Sequence, residues 1–469
     1  MERYNIRHIA RVVVEATTPI AVGSGEKDIM TDARVIKDVN GLPYIPATSV
    51  AGVLRHAMGE SDEDNKSEMW GYQMKKEGAG SRIIFTNANI VDADGTVVDG
   101  LMEKKSSFLQ QFDTLPIRQH ARIGHKGTTE KGGKFDEEVV YKGTRFCFEI
   151  EMVDKEGAKG RDYFICLLKT IRSKNLRMGG GTRSGFGELK VVNSKERTLV
   201  LSNSSELEAY INKSSSLADD SFWKGCDEFN DESTNANFID DMLILTPEDF
   251  FLFGSGMGDE DADMTPVSES FIKWENDKKG VFLDNNVLIP GASVKGALAH
   301  RVAFHYNKLT GVFADNLESK DFDKHIGKEN DAVRILFGSE GDKKGNGASC
   351  GNVFISDVIQ QKHNEKILNH VAIDRFTGGA IDGALFNEKV SDERGQKFEL
   401  KVSVDTAGVK KALTSDAEAA KEIKATLIYQ ALENALDDIC NGMLPLGGGV
   451  NRGNGVFEGD RNHGCFLPI

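Results

Sequence analysis

The 469-residue sequence predicts an α+β fold: two tandem copies of a ferredoxin-like unit, each with helices on one face of an antiparallel sheet. Three observations predict it. Short motifs recur in the same order in both halves of the chain. Stretches rich in β-branched residues alternate with amphipathic helical stretches. The 39% of hydrophobic residues furnish material for packed cores, yet no apolar run is long enough to span a membrane.

The recurring motifs are Pro19 to Gly25 with Phe250 to Gly256, Tyr44 to His56 with Leu288 to His300, and Gly179 to Gly187 with Gly447 to Gly455. The offsets are 231 (Gly23 to Gly254), 244 (Ile45 to Ile289) and 268 (Gly179 to Gly447), growing along the chain as a second copy with longer inserts requires. The first unit is expected over 1–200 and the second over 236–469. Between them 201–235, rich in Ser, Asn and Asp, reads as a linker or partly ordered connection.

Each copy opens with a β-branched strand, Ile9 to Glu15 and Met242 to Leu245. A Gly-Ser-Gly turn and a polar loop lead to a short strand, Arg34 to Lys37 and Phe271 to Trp274. The Ile-Pro-x-x-Ser stretch then starts a helix, with Ser49 and Ser293 expected as its caps. Its apolar faces are Val50, Val53, Leu54 and Ala57, and Val294, Ala297, Leu298 and Val302. Further strands are Arg145 to Val153 and Lys397 to Val404. A helix, clearest at Thr426 to Ile439, precedes each glycine cluster, and a strand follows it at Gly187 to Val192 and Val456 to Gly459.

The formal charge is −15, from 58 basic and 73 acidic residues, which disfavours nucleic-acid binding by bulk attraction and leaves only local basic patches for it. Six cysteines without a CxxC pair argue against a disulfide framework or a structural zinc site and fit a reducing cytoplasm. The charged N-terminus reads as a strand rather than a secretory signal.

The 49 glycines are clustered. A GGGxxxGxG loop leaves its amides open to a close ligand, and phosphate is the obvious one. The loops lack the GK[ST] ending of a nucleotide P-loop, and they precede a strand where a dinucleotide fingerprint precedes a helix. Gly179, Gly180 and Gly181, and Gly447, Gly448 and Gly449, are therefore candidate backbone-phosphate contacts, with Arg183 and Arg452 facing the polyanion. The plainer reading is a turn whose glycines serve chain geometry alone. The helix start after each Ile-Pro is a second anion site and RNA-binding candidate, with Ser49 and Ser293 at it, Gly52 and Gly296 allowing close approach and Arg55, Lys295 and Arg301 supplying charge. Its plainer reading is an amphipathic helix with solvated basic residues.

The N-terminal strand, the Ile-Pro-x-x-Ser-x-x-Gly helix and the terminal glycine loop together resemble the CRISPR-associated RAMP superfamily. Within it the likeness is to the fused double-backbone subunits of type III effector complexes, most of all the III-D branch. His370 to Ala380 followed by Leu385 to Glu388 is similar to that family's thumb, with a fainter version at Arg118 to His125 followed by Phe135 to Val140. The resemblance implies RRM-like domains that bind guide RNA (crRNA) along its phosphates, with Arg122, His125 and Arg375 among the contacts. A β-hairpin thumb in each would displace one nucleotide at regular intervals along the guide–target duplex. It also implies target RNA, other RAMP subunits and a large polymerase-like subunit as partners, and no membrane.

In catalytic members an Asp in the loop after the GSG turn cleaves target RNA. Asp32, four residues before Ile36, matches that position better than Asp28, and would act as base or help hold a divalent cation, Mg2+ by expectation. In the second copy, four back from Ile272 is Ser268. Asp259, Glu260, Asp261, Asp263 and Glu269 lie nearby in what reads as a longer loop, with Asp263 the expected acid. Two alternatives stay open: a non-catalytic scaffold of the same family, and a stand-alone guide-processing endoribonuclease that uses His56 or His300.

Overall fold

Why the two halves share a fold is visible in their strand order. The computed structural model describes residues 4–466 apart from 28–30, 59–67, 74–76, 125–126, 157–158, 232–236, 319–320, 342–346, 363, 414–417 and 464–465. In the first copy the order is strand Ile6–Ala16, helix Ala47–Ala57, strands Ile83–Phe85 and Arg145–Asp154, helix Gly160–Ile171 and strand Leu189–Val200. Ile6–Ala16 lies antiparallel between Arg145–Asp154 and Leu189–Val200, and Ile83–Phe85 flanks Arg145–Asp154. The second copy repeats this with strand Phe238–Pro247, helix Gly291–Thr310, strands Val353–Ile355 and Phe398–Asp405, helix Glu418–Cys440 and strand Phe457–His463, in the same lateral order. The result is a mixed α+β molecule with two antiparallel sheets of one connectivity.

The period-2 pattern of the first strand buries Ala10, Val12, Val14 and Ala16 against the helices, where Val50, Leu54, Phe164, Leu167 and Leu168 meet them. Each of these larger side chains, truncated to alanine, would cost about 2–5 kcal/mol. The 201–235 connection is not loose over its described part. It forms helix Ser204–Ile211, and Trp223, 1% exposed, sits with Ile9 and Leu199 on the opposite face of the first sheet. The Trp223 indole N–H donates to Glu149 at 2.9 Å. Ser, Asn and Asp dominate the segment's composition, but its few aromatic residues decide its structure.

The two copies interlock through a hairpin of the second, Ser268–Glu275 with Lys279–Ile289. It enters the core of the first copy, where Phe282 meets Phe108, Phe112 and Tyr141. Trp274 donates to the Gly143 carbonyl at 2.8 Å, and at Gly143 (φ 86°) a Cβ would lie 2.0 Å from the Ile272 oxygen. Arg118 is buried between Glu269 (2.5 Å) and Asp357 (3.0 Å) of the second copy. This hairpin corrects the expected match of Phe271–Trp274 with Arg34–Lys37. The bridge Gly23 with Val35 recurs as Gly254 with Pro266, so residues 34–37 correspond to 265–268, and 271–274 belong to an insertion.

Candidate nucleic-acid interface

The loops after the two Gly-Ser-Gly turns have the same geometry. Ser24 N–H donates to the Arg34 carbonyl and Ser255 N–H to Thr265, both at 2.9 or 2.8 Å. Ala33 bridges Glu137 as Met264 bridges Glu388. The loops are therefore of equal length, contrary to the expectation of a longer second loop, and 231 positions separate both Gly23 from Gly254 and Asp32 from Asp263. Asp32 and Asp263 are exposed and structurally equivalent. The Asp263 carboxylate accepts from Asn387 N–H at 2.9 Å. Asp32 accepts from Asp136 N–H at 3.3 Å while its own N–H donates to the Asp136 carboxylate at 2.8 Å. Sequence reading missed Asp136, whose one signal was its place in the hairpin opposite Asp32. Asp32 thus faces a second carboxylate on its hairpin where Asp263 faces the amide residue Asn387, and the neighbouring Asp259 and Asp261 are paired with Lys389. Among the described residues no group of three or more metal-ligating side chains forms. Two carboxylates plus a ligand phosphate still fit a magnesium ion, which retains several waters. Asp28 lies outside the described residues.

These acids stand at the bases of two long hairpins, Ile117–Ile123 with Thr129–Glu138 and Glu365–Ile373 with Ala380–Ser391. His120 stacks on Phe135 and His370 on Phe386, each with centroids 4.7 Å apart. Each histidine Nε2 lies near a carboxylate, Glu137 at 3.0 Å and Glu388 at 2.9 Å. Arg375 is at the exposed end of the second hairpin beside Phe376, which is 100% exposed. Arg122 is half-exposed on the first and is paired with Glu340 and Glu130. Hydrogen bonds from Lys328 and then Arg122 pull the Glu340 carboxyl down to about 2. His125 lies outside the described residues.

The helix starts need a correction. Pro46 and Pro290 are the cap residues, and Ser49 and Ser293 sit inside the first turn without capping it. The first helical amide is taken instead by a side chain from the next strand connection: Asn87 receives Ala47 N–H at 2.9 Å, and Asp357 receives Gly291 N–H at 2.7 Å. The anion site at the second helix start is therefore filled by the chain's own carboxylate. Arg301 is also committed internally, to Asp438 and over the Phe304 ring at 4.8 Å. Arg55, His56 and His300 are exposed. Gly52 and Gly296 occupy the same position in their helices, exposed, with nothing among the described residues within 4 Å of where a Cβ would stand.

The glycine triplets are at the surface, but chain geometry accounts for part of their composition. Gly179 (φ 91°) and Gly447 (φ 93°) would each push a Cβ to 2.4 or 2.5 Å from the carbonyl of Ala21 or Leu252. The Gly180 and Gly448 amides donate to those same carbonyls at 2.6 Å, so they are not open to phosphate. Gly181 and Gly449 likewise have positive φ, at 63° and 69°. Arg452 reaches back to Glu388 of its own hairpin at 2.6 Å. Arg183 donates to the Gly351 carbonyl and lies over the Phe354 ring at 4.8 Å, both in the second copy.

That reach builds a cleft of about 690 Å3 between the copies. One wall is the first hairpin, with Arg122 and Ile123. The first glycine loop brings Arg183, and the second helix brings Lys295, Gly296 and His300. Lys295 Nζ lies 3.4 Å from the Ser184 hydroxyl. Burial, and then repulsion from Arg183, lower the Lys295 ammonium below its ordinary value. Glu130, Glu329 and Glu340 also line the cleft, Glu130 and Glu340 paired with Arg122 and Lys328, but among the described residues neither Arg183 nor Lys295 has a carboxylate at ion-pair distance. Two partly desolvated positive charges in one concavity, beside a bare helix backbone, are suited to a phosphate diester. No helix of the described residues is long and apolar enough to cross a membrane.

Comparison with known proteins agrees with the geometry. The RAMP superfamily model matches residues 13–190 and 270–458. The chain is 28% identical over 192 residues to a CRISPR system Cms endoribonuclease, Csm3, of Methanocaldococcus jannaschii, an alignment that covers 38% of this chain and 75% of that protein. Since each half matches separately, and each half has the same strand order and the same aspartate-bearing loop, the chain belongs to the RAMP superfamily as a tandem of two of its units.

Proposed function

We propose that the chain is a backbone subunit of a type III CRISPR effector complex that binds guide RNA through its phosphates and cuts target RNA at the Asp32 loop. The observation that carries this reading is the Arg183–Lys295 pair, two cations from different copies in one cleft, neither with a carboxylate at ion-pair distance among the described residues. The paired sheets are read as RRM-like units and the two hairpins as thumbs. The second hairpin exposes Val371, Ile373, Phe376 and Leu385. The first hairpin meets the second copy through Arg118, Arg122 and the Ile123 carbonyl, and the second would offer a following RAMP subunit the same kind of contact. The large polymerase-like subunit, and the III-D branch as the source of a fused pair, remain part of this reading.

Cleavage would begin with attack of a ribose 2′-oxygen on the adjacent phosphorus, giving a cyclic phosphate and releasing the next 5′-oxygen, which takes up a proton. A nucleotide splayed at a thumb base puts that oxygen in line, which supplies much of the rate. Asp32 would take the 2′ proton or, with Asp136, hold a magnesium ion. Such an ion would stabilise charge on the phosphoryl oxygens. Asp263 faces Asn387 in place of a second acid, and with Asp259 and Asp261 paired to Lys389 its copy is poorer in free ligands.

The test is RNA titration of the chain at several salt concentrations. The affinity should fall with salt, and Arg183→Ala with Lys295→Ala should reduce the log–log slope by about 0.7 per lost phosphate contact. A slope of zero in the unmodified protein would overturn the reading.

A further inference from the structure

The cleft shares His300 and Ile326 with a second cavity of about 650 Å3, lined mostly by apolar side chains. Three phenylalanines, Phe304, Phe313 and Phe322, line it. Phe304 and Phe313 are 51% and 53% exposed, unusual for rings inside a concavity. Gly296, His300, Phe304 and Lys308 follow at every fourth position of helix Gly291–Thr310, so they form one stripe along it. The stripe runs from bare backbone at the cationic pair, through an imidazole and a phenyl ring, to an exposed ammonium. Arg301, held by Asp438, lies over the Phe304 ring and fixes its orientation.

We propose that this pocket receives an unpaired nucleobase of the RNA strand whose phosphates lie in the adjoining cleft. The inference rests on the RNA-binding reading above and adds a specific seat for a base. A nucleotide joins a flat aromatic group to a phosphate, and here an aromatic-lined pocket of ordinary small-ligand size adjoins a cleft in which Arg183 and Lys295 have no carboxylate at ion-pair distance among the described residues. Stacking on phenyl rings serves any base, because each has a π face. The pocket would therefore add affinity without reading sequence.

The experiment uses the full chain and guide-length RNAs that carry 4-thiouridine or an abasic site at successive positions. One position is expected to photo-crosslink to the 300–326 segment, and an abasic site there should weaken binding about 5- to 150-fold, the range of base–aromatic stacking. Phe304→Ala should produce the same loss with an unchanged salt slope, and the abasic site and the substitution together should lose no more than either alone. Phe304→Leu, which keeps an apolar filling, should show the loss if stacking is the cause. Salt-dependent binding by the unmodified chain that no abasic site weakens would overturn the pocket assignment alone, and would mark the cavity as a seat for a protein neighbour. Absence of RNA binding would overturn the reading beneath it as well.

Discussion

Gly52 and Gly296 offer a test in which stability and binding should move in opposite directions. Glycine in a helix interior costs about 0.5–1 kcal/mol relative to alanine, so it persists where something needs the space. Among the described residues nothing does, since no atom of theirs outside the helix stands within 4 Å of either would-be Cβ. Gly52→Ala with Gly296→Ala should therefore raise the free energy of unfolding in urea by about 1–2 kcal/mol. If those positions receive the RNA backbone, the same double variant should bind RNA at least about fivefold more weakly, the equivalent of about 1 kcal/mol for a lost contact. Gly160→Ala serves as the opposing control, because its Cβ would lie 2.0 Å from the Asp154 carboxylate and should destabilise. A double variant that is more stable and binds RNA as well as the unmodified chain would refute the assignment of these glycines to an interface. One that is less stable would refute the reasoning about space.

Asp32→Ala in the assembled complex should retain target binding and lose the cuts assigned to the first copy, read on a denaturing gel. Asp136→Asn should slow those cuts toward the rate of the second copy, whereas Asp263→Ala should leave them in place. Lys295 binds its proton less tightly in the folded chain than in the unfolded one, so its share of stability rises with pH through that alkaline window. An RNA phosphate would raise its pKa, so RNA binding should take up protons on the alkaline side and weaken as pH rises, measurable by calorimetry in buffers of different ionisation enthalpy. Arg118→Met strands Glu269 and Asp357 in the joint between the copies and should cost about 3–5 kcal/mol, read as a loss of unfolding free energy.

The duplicated grammar was legible because strands, helices and glycine turns are written in local pattern, although the short strand expected at Arg34 to Lys37 forms only isolated bridges. Asp263 was identified with the acid of the first loop although the short-strand count misplaced the register, since the insertion between 268 and 288 falls just after it. What eluded the sequence depends on long separations. Arg118 meets Glu269 across 151 positions, and Asn87 and Asp357 displace Ser49 and Ser293 from the role their spacing suggested. Arg183 and Lys295 carried ordinary local signals. Only the docking of one copy's glycine loop on the other's helix makes them a pair. Composition gave no sign of the packing by which Trp223 anchors the connection to the first sheet.

The seating of Phe282 and Trp274 from one half inside the other means the two repeats cannot pivot freely. A strand laid across both is therefore gauged by a rigid rule with two marks, whose spacing is cast in hydrophobic contact. Two separate polypeptides would have to find that alignment at each encounter, whereas one covalent chain meets itself at high effective concentration. Errors of phase along the transcript should then arise at the outer ends of the subunit, where one polypeptide hands over to the next.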